Sequence, residues 1–152
     1  MLHDFRLAGR KVRLWQRNGE SYEHILMKAL GYAMFITHHP NMQVEHPVGL
    51  RYKPDLVAQD EDGRFRFWGE CGQVSLRKIN WLMKHAGVEH LVVFKIGSNM
   101  APLANELRNE IPAKYRAPGR IEIFGFSPDI VHLTIERRIS YVPSEWYAKL
   151  II

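Results

Sequence analysis

The sequence predicts an α/β fold in which a central mixed β-sheet is flanked by helices, within a single domain that spans residues 1–152. Three observations predict this class. Residues 53–73 hold two short apolar runs joined by an acidic turn, which is typical of a β-hairpin. Residues 75–96 then read as a helix followed by an apolar, β-branched strand, which implies a parallel pair of strands with a right-handed crossover. Residues 24–36 read as a long helix whose apolar side faces the sheet.

The composition is that of a globular protein, with 46% apolar and 24% charged residues, so disorder is not expected. No apolar run reaches transmembrane length, and the first residues lack the basic and apolar regions of a signal peptide. A single cysteine, Cys71, excludes an internal disulfide and fits a reducing compartment. We therefore predict a soluble, cytoplasmic protein with no membrane partner, and the sequence does not predict its oligomeric state.

The net charge of +5 favours an anionic partner, of which nucleic acid is the commonest, although many soluble domains are mildly basic. Residues 5–15 predict an edge hairpin with its apolar side turned inward. Its basic residues should lie in solvent, where they protect an edge strand, and phosphate contact is the less favoured alternative. These residues are Arg6, Arg10, Lys11, Arg13 and Arg17.

The first helix should begin near residues 18–23, which offer a capping residue and early acids. Helical periodicity puts Glu20, His24 and Lys28 on the water-facing side and Glu23 inside the apolar arc. A buried, unpaired carboxylate costs several kcal/mol, so Glu23 either has a partner or serves chemistry. The alternative is that Glu23 reaches solvent and favours the helix dipole. Residues 38–47, rich in histidine, are read as a surface loop rather than a zinc site, because they lack paired metal-ligand spacing.

Each strand of the predicted hairpin carries one acidic residue, Asp55 on the first and Glu70 on the second. An even-length loop puts both carboxylates on one side of the sheet, and a three-residue loop would separate them. Two converging carboxylates disfavour each other's ionisation unless a cation is present, and oxygen ligands suit Mg²⁺ or Mn²⁺ rather than zinc. A plainer alternative is that the acids pair with basic neighbours and leave no open coordination position. Those neighbours are Lys53, Arg64 and Arg66.

The remaining elements follow in order. Ser75 should cap a helix that ends at Gly87, with Arg77 and Lys78 in its first turn beside the strand end that carries Glu70. Residues 90–96 predict a central strand covered on both faces. Further on we expect a helix at residues 102–111, a strand at 121–126, a short helix at 129–137 and a docked apolar tail at 139–152.

This arrangement resembles the PD-(D/E)xK nuclease superfamily, and residues 53–94 resemble more narrowly the YaeQ family. The resemblance is carried by Pro54-Asp55-Leu56, by Trp68-Gly69-Glu70-Cys71-Gly72-Gln73 and by the basic pair Arg77-Lys78. It covers residues 18–97, with Glu23 standing where that family has a Glu opening its long helix. It implies a restriction endonuclease-like core and a metal-dependent nuclease acting on nucleic acid, with DNA favoured over RNA.

The resemblance also implies roles for individual residues. Asp55, Glu70 and the backbone carbonyl of Cys71 would hold Mg²⁺ or Mn²⁺, assisted by Glu23. The superfamily lysine should stand two residues after Glu70, but that position is Gly72, so Gln73 and Lys78 are the substitutes. Arg77, Lys78 and Arg66 would contact nucleic acid. The departure at Gly72-Gln73 is shared by YaeQ-like proteins and keeps open an alternative, a nucleic-acid-binding or regulatory module with a degenerate site. The thiol of Cys71 is read as buried and structural rather than nucleophilic.

Overall fold

A computed structural model describes all residues, 1–152. Nine strands and four α-helices occur in the order β1 (Leu2–Leu7), β2 (Arg10–Trp15), α1 (Tyr22–Phe35), β3 (Gln43–Val44), β4 (Leu56–Gln59), β5 (Phe65–Cys71), α2 (Leu76–Trp81), β6 (Leu91–Ile96), α3 (Ala101–Glu110), β7 (Ile121–Phe126), α4 (Ile130–Leu133), β8 (Arg138–Ile139) and β9 (Tyr147–Ile151). A π-helical turn, Leu82–Ala86, continues α2 and ends at Gly87, whose φ of 62° is left-handed.

The main sheet has six strands in the order β3-β4-β5-β6-β7-β9. Strands β5, β6 and β7 run parallel, and the outer strands pair antiparallel, so the sheet is mixed. The first four residues of β6 are buried, as expected for a central strand covered by helices on both faces. The predicted α/β class, a mixed sheet flanked by helices, is therefore confirmed. A second sheet of three strands, β2-β1-β8, was not predicted.

Helix α1 lies between the two sheets and contacts β1 and β2 on one side and β4, β5 and β6 on the other. Nine consecutive residues of α1, from residue 25 to residue 33, are buried. A Cβ added at Gly31 would lie 2.6 Å from Leu56 and 2.8 Å from Phe94, so only glycine lets the helix approach the main sheet this closely. The predicted water-facing side of α1 is therefore wrong at Lys28, which is only 1% exposed. The periodicity argument assumes one solvated side, whereas a helix between two sheets has none over this stretch.

The hairpin of β4 and β5 differs from the predicted even-length loop. Three residues, 61–63, separate Asp60 and Arg64, whose backbone groups still hydrogen-bond at 3.0 Å. The register then shifts by one residue beyond Ala58, and Arg66 is the surplus residue of a β-bulge. The bulge restores the pairing of Leu56 with Gly69, so Asp55 still comes opposite Glu70.

The bulge also changes which faces the aromatic residues occupy. Phe65 packs with Trp68 in the core on the α2 side, while Phe67 and Cys71 pack in the core on the α1 side. Side-chain alternation alone would place Phe65 on the same face as Phe67 and Cys71, but Phe65 lies on the opposite face. Strict alternation along β5 fails at this point because Arg66 is inserted between the two rings.

The structure refines the predictions for three further segments. The loop at residues 38–47 contains the short edge strand β3. The helix expected at residues 129–137 covers only Ile130–Leu133, because Thr134 leaves the helical region with a φ of −115°. The chain then turns at Arg137, whose φ is 58°, and enters β8. The tail docks on the body as expected, and it does so as strand β9, antiparallel to β7.

Candidate functional site

Asp55 and Glu70 meet at one end of the β4–β5 ladder. Asp55 immediately precedes β4, and its backbone N–H donates to the carbonyl oxygen of Gly69 at 3.2 Å. The backbone N–H of Cys71 donates to Oδ2 of Asp55 at 2.8 Å. The structure thus holds the Asp55 carboxylate against the strand end that carries Glu70.

The Glu70 carboxylate is buried and engaged at both oxygens. The residue is 4% exposed. Oε2 accepts a hydrogen bond from Nε1 of Trp68 at 2.8 Å, and Oε1 accepts one from Nζ of Lys78 at 2.5 Å. Burial raises the pKa of Glu70 above its usual value, Lys78 opposes the shift, and the nearby Asp55 adds to it. Neither Glu70 nor Asp55 pairs with Lys53, Arg64 or Arg66.

Helix α2 delivers Lys78 to this carboxylate. Oγ of Ser75 caps the helix by accepting the backbone N–H of Lys78 at 3.0 Å, which sets the direction of the first turn toward the end of β5. Arg77, the preceding residue, is exposed on the same turn. The backbone explains why the lysine comes from the helix: Gly72 leaves the strand with a φ of 82°, a left-handed conformation that a lysine adopts only with strain.

A chain of charged side chains leads from α1 to Asp55, and sequence reasoning placed three of its members in solvent. Nζ of Lys28 donates to Oε2 of Glu20 at 2.7 Å and to Oε1 of Glu45 at 2.5 Å. The ring of His24 lies between Glu20 and Asp55. Its Nδ1 is 2.5 Å from Oε2 of Glu20, and its Nε2 is 3.6 Å from Oδ2 of Asp55. The available signal was Lys28 itself, a basic residue inside a nearly continuous apolar run.

The pKa values of this network follow from its contacts. Asp55 raises the pKa of His24 above its usual value, burial opposes the shift, and Glu20 supports it. Burial alone would raise the pKa of Glu20. Hydrogen bonds from the Lys28 side chain, from the Arg17 backbone and from the His24 ring together lower this pKa to about 2. The network therefore favours an ionised Glu20 beside a protonated His24.

A cavity of 540 Å³ opens between the start of α1 and the end of β5. It is lined by Glu20, Ser21, His24, Cys71, Gly72 and Gln73, among others. Gln73 is exposed at its mouth and also borders a neighbouring depression with Lys95 at the end of β6. Burial lowers the pKa of Lys95, a basic residue that sequence reasoning did not consider.

Two predicted site residues lie elsewhere. Glu23 is exposed on α1, so the expectation that it faces the apolar interior is wrong; the inward residue of that turn is His24. Arg66 lies four residues before Glu70 on β5, about 13 Å along the strand. Its guanidinium forms ion pairs with Asp60 and Glu89, both at 3.1 Å. The structure thus brings together Asp55, Glu70 and Lys78, and Gln73 and Arg77 are exposed on the segment between Glu70 and Lys78.

No group of three or more His, Cys, Asp or Glu side chains is arranged to hold a metal ion. The acidic donors at the strand ends are the two carboxylates of Asp55 and Glu70. A donor set of one or two carboxylates, completed by waters and a phosphate, is the kind that Mg²⁺ accepts. Burial removes hydration from the Glu70 carboxylate and so raises its pKa. A cation beside the carboxylate would offset that loss of hydration.

The same fold occurs in two crystal structures. The YaeQ protein from Xanthomonas axonopodis pv. citri aligns with a TM-score of 0.63 over 99% of this chain and 93% of its own, at 13% identity. The YaeQ protein from Pseudomonas syringae aligns with a TM-score of 0.64 over 96% of this chain and 89% of its own, at 14% identity. The chain has a YaeQ-like fold. No protein-family model and no curated protein matches the sequence.

None of the helices combines the length and the apolar character that crossing a membrane would require.

Proposed function

We propose that this protein hydrolyses phosphodiester bonds in nucleic acid, with DNA favoured over RNA, at the site formed by Asp55, Glu70 and Lys78. The observation that carries the proposal is the 2.5 Å contact between Nζ of Lys78 and Oε1 of Glu70. Through this contact Lys78 brings from α2 the ammonium group that the PD-(D/E)xK pattern requires and that Gly72 does not provide. The net charge of +5 supports a polyanionic substrate.

The residues fit a hard divalent cation. Asp55, Glu70 and the backbone carbonyl of Cys71 would hold Mg²⁺ or Mn²⁺. Such a cation, when bound, lowers the pKa of a water molecule and neutralises charge that develops on the phosphodiester. With only two carboxylate ligands, it would keep several waters and share the phosphate oxygens of the substrate.

The protein's own side chains orient the substrate and balance its charge. Lys78 carries a positive charge into the buried site, where the reduced dielectric strengthens its attraction to a phosphate. Arg77 is exposed on the same turn and can bind a phosphate through two parallel hydrogen bonds. Gln73 offers an amide to a water or phosphate but carries no proton to transfer. The indole of Trp68 fixes one oxygen of Glu70 and therefore the direction of the other.

The test is cleavage of supercoiled plasmid, single-stranded DNA and RNA in the presence of Mg²⁺ or Mn²⁺. We expect Lys78→Ala and Glu70→Gln to lower the rate at least about 100-fold, as is typical when a charge-stabilising group is removed. Lys84→Ala and Glu61→Gln are the matched controls, because both residues are exposed on neighbouring segments. Cleavage that is absent from the wild type, or unchanged in the first pair of variants, would contradict the proposal.

A second candidate is a nucleic-acid-binding module on the same scaffold without hydrolysis. Both oxygens of Glu70 already accept hydrogen bonds from protein donors, and Glu23 lies outside the site, which favours a weakened metal centre. Calorimetric titration with Mn²⁺ separates the two candidates. Binding that Glu70→Gln abolishes supports the hydrolase, whereas nucleic-acid binding without any Mn²⁺ binding supports the module.

A further inference from the structure

The outer face of the three-stranded sheet carries a row of positive charge. On the central strand β1, Arg6 pairs with Lys11 of β2 on one side and with Arg138 of β8 on the other. All three residues are exposed. Strands from the two ends of the sequence thus align three cations side by side.

Basic side chains protect edge strands, but that role does not require three of them opposite one another. Of the three side chains, only that of Arg6 has a hydrogen-bond partner in the protein, with Nη1 donating to the carbonyl oxygen of Gly9 at 3.3 Å. Like charges directly opposite each other on a sheet are destabilising. Asp4, an acid on the same face, is already paired with Arg13, with Nε 3.1 Å from Oδ1. The row borders a depression of 350 Å³. Five basic and two acidic residues line that depression, namely Arg6, Lys11, Arg13, Arg137, Arg138, Asp4 and Glu136. An excess of three positive charges around one depression is complementary to a polyanion.

The same face ends in an exposed aromatic residue. Trp15 is 55% exposed, and its cross-strand partner Leu2 is 45% exposed. Because side chains alternate along β2, Trp15 shares a face with Arg13 and Lys11, with about 7 Å between successive members. An indole beside a basic track is the combination with which proteins stack unpaired bases and hold the phosphates between them.

We propose that this outer face binds single-stranded nucleic acid, with phosphates on Arg6, Lys11 and Arg138 and a base stacked on Trp15. The face lies near the cavity beside the candidate site, since Gly19 is four positions after Trp15, at most about 14 Å along the chain. Gly19 lines the cavity that contains Gln73. The choice of nucleic acid as the ligand rests on the proposed function, whereas the surface itself is separate from Asp55, Glu70 and Lys78.

The first test is the affinity for a fluorescent oligonucleotide of about 15 nucleotides, measured by anisotropy at several salt concentrations. The triple variant Arg6→Ala/Lys11→Ala/Arg138→Ala should bind more than tenfold more weakly. Its plot of log affinity against log salt should be shallower by about 2, since each phosphate contact to a single strand contributes about 0.7. The matched control is Arg64→Ala/Lys84→Ala/Lys114→Ala, which removes the same charge from exposed residues elsewhere and should keep the wild-type slope.

The second test addresses stacking. Trp15→Ala should weaken binding to the single strand by about 5- to 150-fold, and Trp15→Phe should retain most of the affinity. Neither should alter binding to a duplex of the same length. Equal losses in the two triple variants, no effect of Trp15→Ala, or a preference of the wild type for anionic phospholipid vesicles would overturn the inference.

Hydrolysis of bis(4-nitrophenyl) phosphate, a substrate too small to reach the outer face, separates this inference from the proposed function. If the triple variant binds oligonucleotide normally while Lys78→Ala loses hydrolysis, the outer-face inference fails and the proposed function stands. If the triple variant loses binding but no protein hydrolyses the diester, the inference stands and the hydrolase proposal fails.

Discussion

Nζ of Lys78 lies 2.5 Å from Oε1 of Glu70, and the two residues belong to different elements separated by a left-handed glycine. The side chains are 18% and 5% exposed, so each is the other's main compensation for lost hydration. Removing one partner of a buried ion pair leaves an uncompensated charge, whereas removing both can be nearly neutral.

We therefore predict that Lys78→Met lowers the free energy of unfolding by about 3 kcal/mol at neutral pH. The double variant Lys78→Met/Glu70→Gln should recover most of this loss, because no buried charge remains. Urea denaturation of the wild type, both single variants and the double variant measures the coupling. Additive losses, with no recovery in the double variant, would show that the pair is not coupled in solution.

Gly72 gives a second prediction. Its φ of 82° is left-handed, and an added Cβ would lie 3.6 Å from Met27, an ordinary contact distance. The cost of Gly72→Ala should thus come from the backbone alone, and we expect a loss of about 1 to 2 kcal/mol in the free energy of unfolding. Gly72→Asn should cost less, since asparagine tolerates this region better. Equal losses for Ala and Asn in urea denaturation would argue for a steric cause instead.

The network of Glu20 and His24 predicts two limits on stability with pH. The pKa of Glu20 is lowered from 4.5 to about 2, so its contribution is complete above pH 4.5 and is lost as the pH falls toward 2. The pKa of His24 is raised above 6.5, so its contribution is complete below pH 6.5 and is lost as the pH rises through the higher value. The stability from this network should therefore be flat between pH 4.5 and 6.5.

Thermal unfolding across pH, with EDTA present, checks this window. Glu20→Gln should flatten the acid side of the Tm profile, and His24→Gln should flatten the alkaline side. If the Tm of Glu20→Gln or His24→Gln changes with pH in the same way as that of the wild type, the substituted residue is not the cause of the pH dependence assigned to it.

The thiol of Cys71 provides a further prediction. Burial raises its pKa well above the usual value, and the nearby carboxylates of Asp55 and Glu70 add to the shift. Because the thiolate is the reactive form, the native protein should react with Ellman's reagent much more slowly than the urea-unfolded chain. Comparable rates in the two states would mean that β5 does not bury this residue.

Some features of the site follow from local rules and others do not. The first turn of a capped helix depends only on neighbouring residues, so the approach of Lys78 to the end of β5 could be reasoned from sequence. Asp55 comes opposite Glu70 for a different reason from the predicted even-length loop, because a bulge compensates for a three-residue loop. The bulge at Arg66 and the second sheet over α1 depend on distant packing. For that reason periodicity wrongly predicted that Glu23 faces the interior, and it did not predict the buried ion pairs of Lys28 with Glu20 and Glu45.

The parallel pairing of β1 with β8 joins Arg6 to Arg138, residues 132 positions apart. At the usual translation speed of 5–20 residues per second, the ribosome needs about 7 to 26 seconds to make the intervening chain. During that interval the outer edge of β1 in the nascent β1–β2 hairpin lacks its partner strand, and the small sheet is complete only once β8 has emerged. Completion of this small sheet therefore comes after synthesis of every strand of the main sheet except β9.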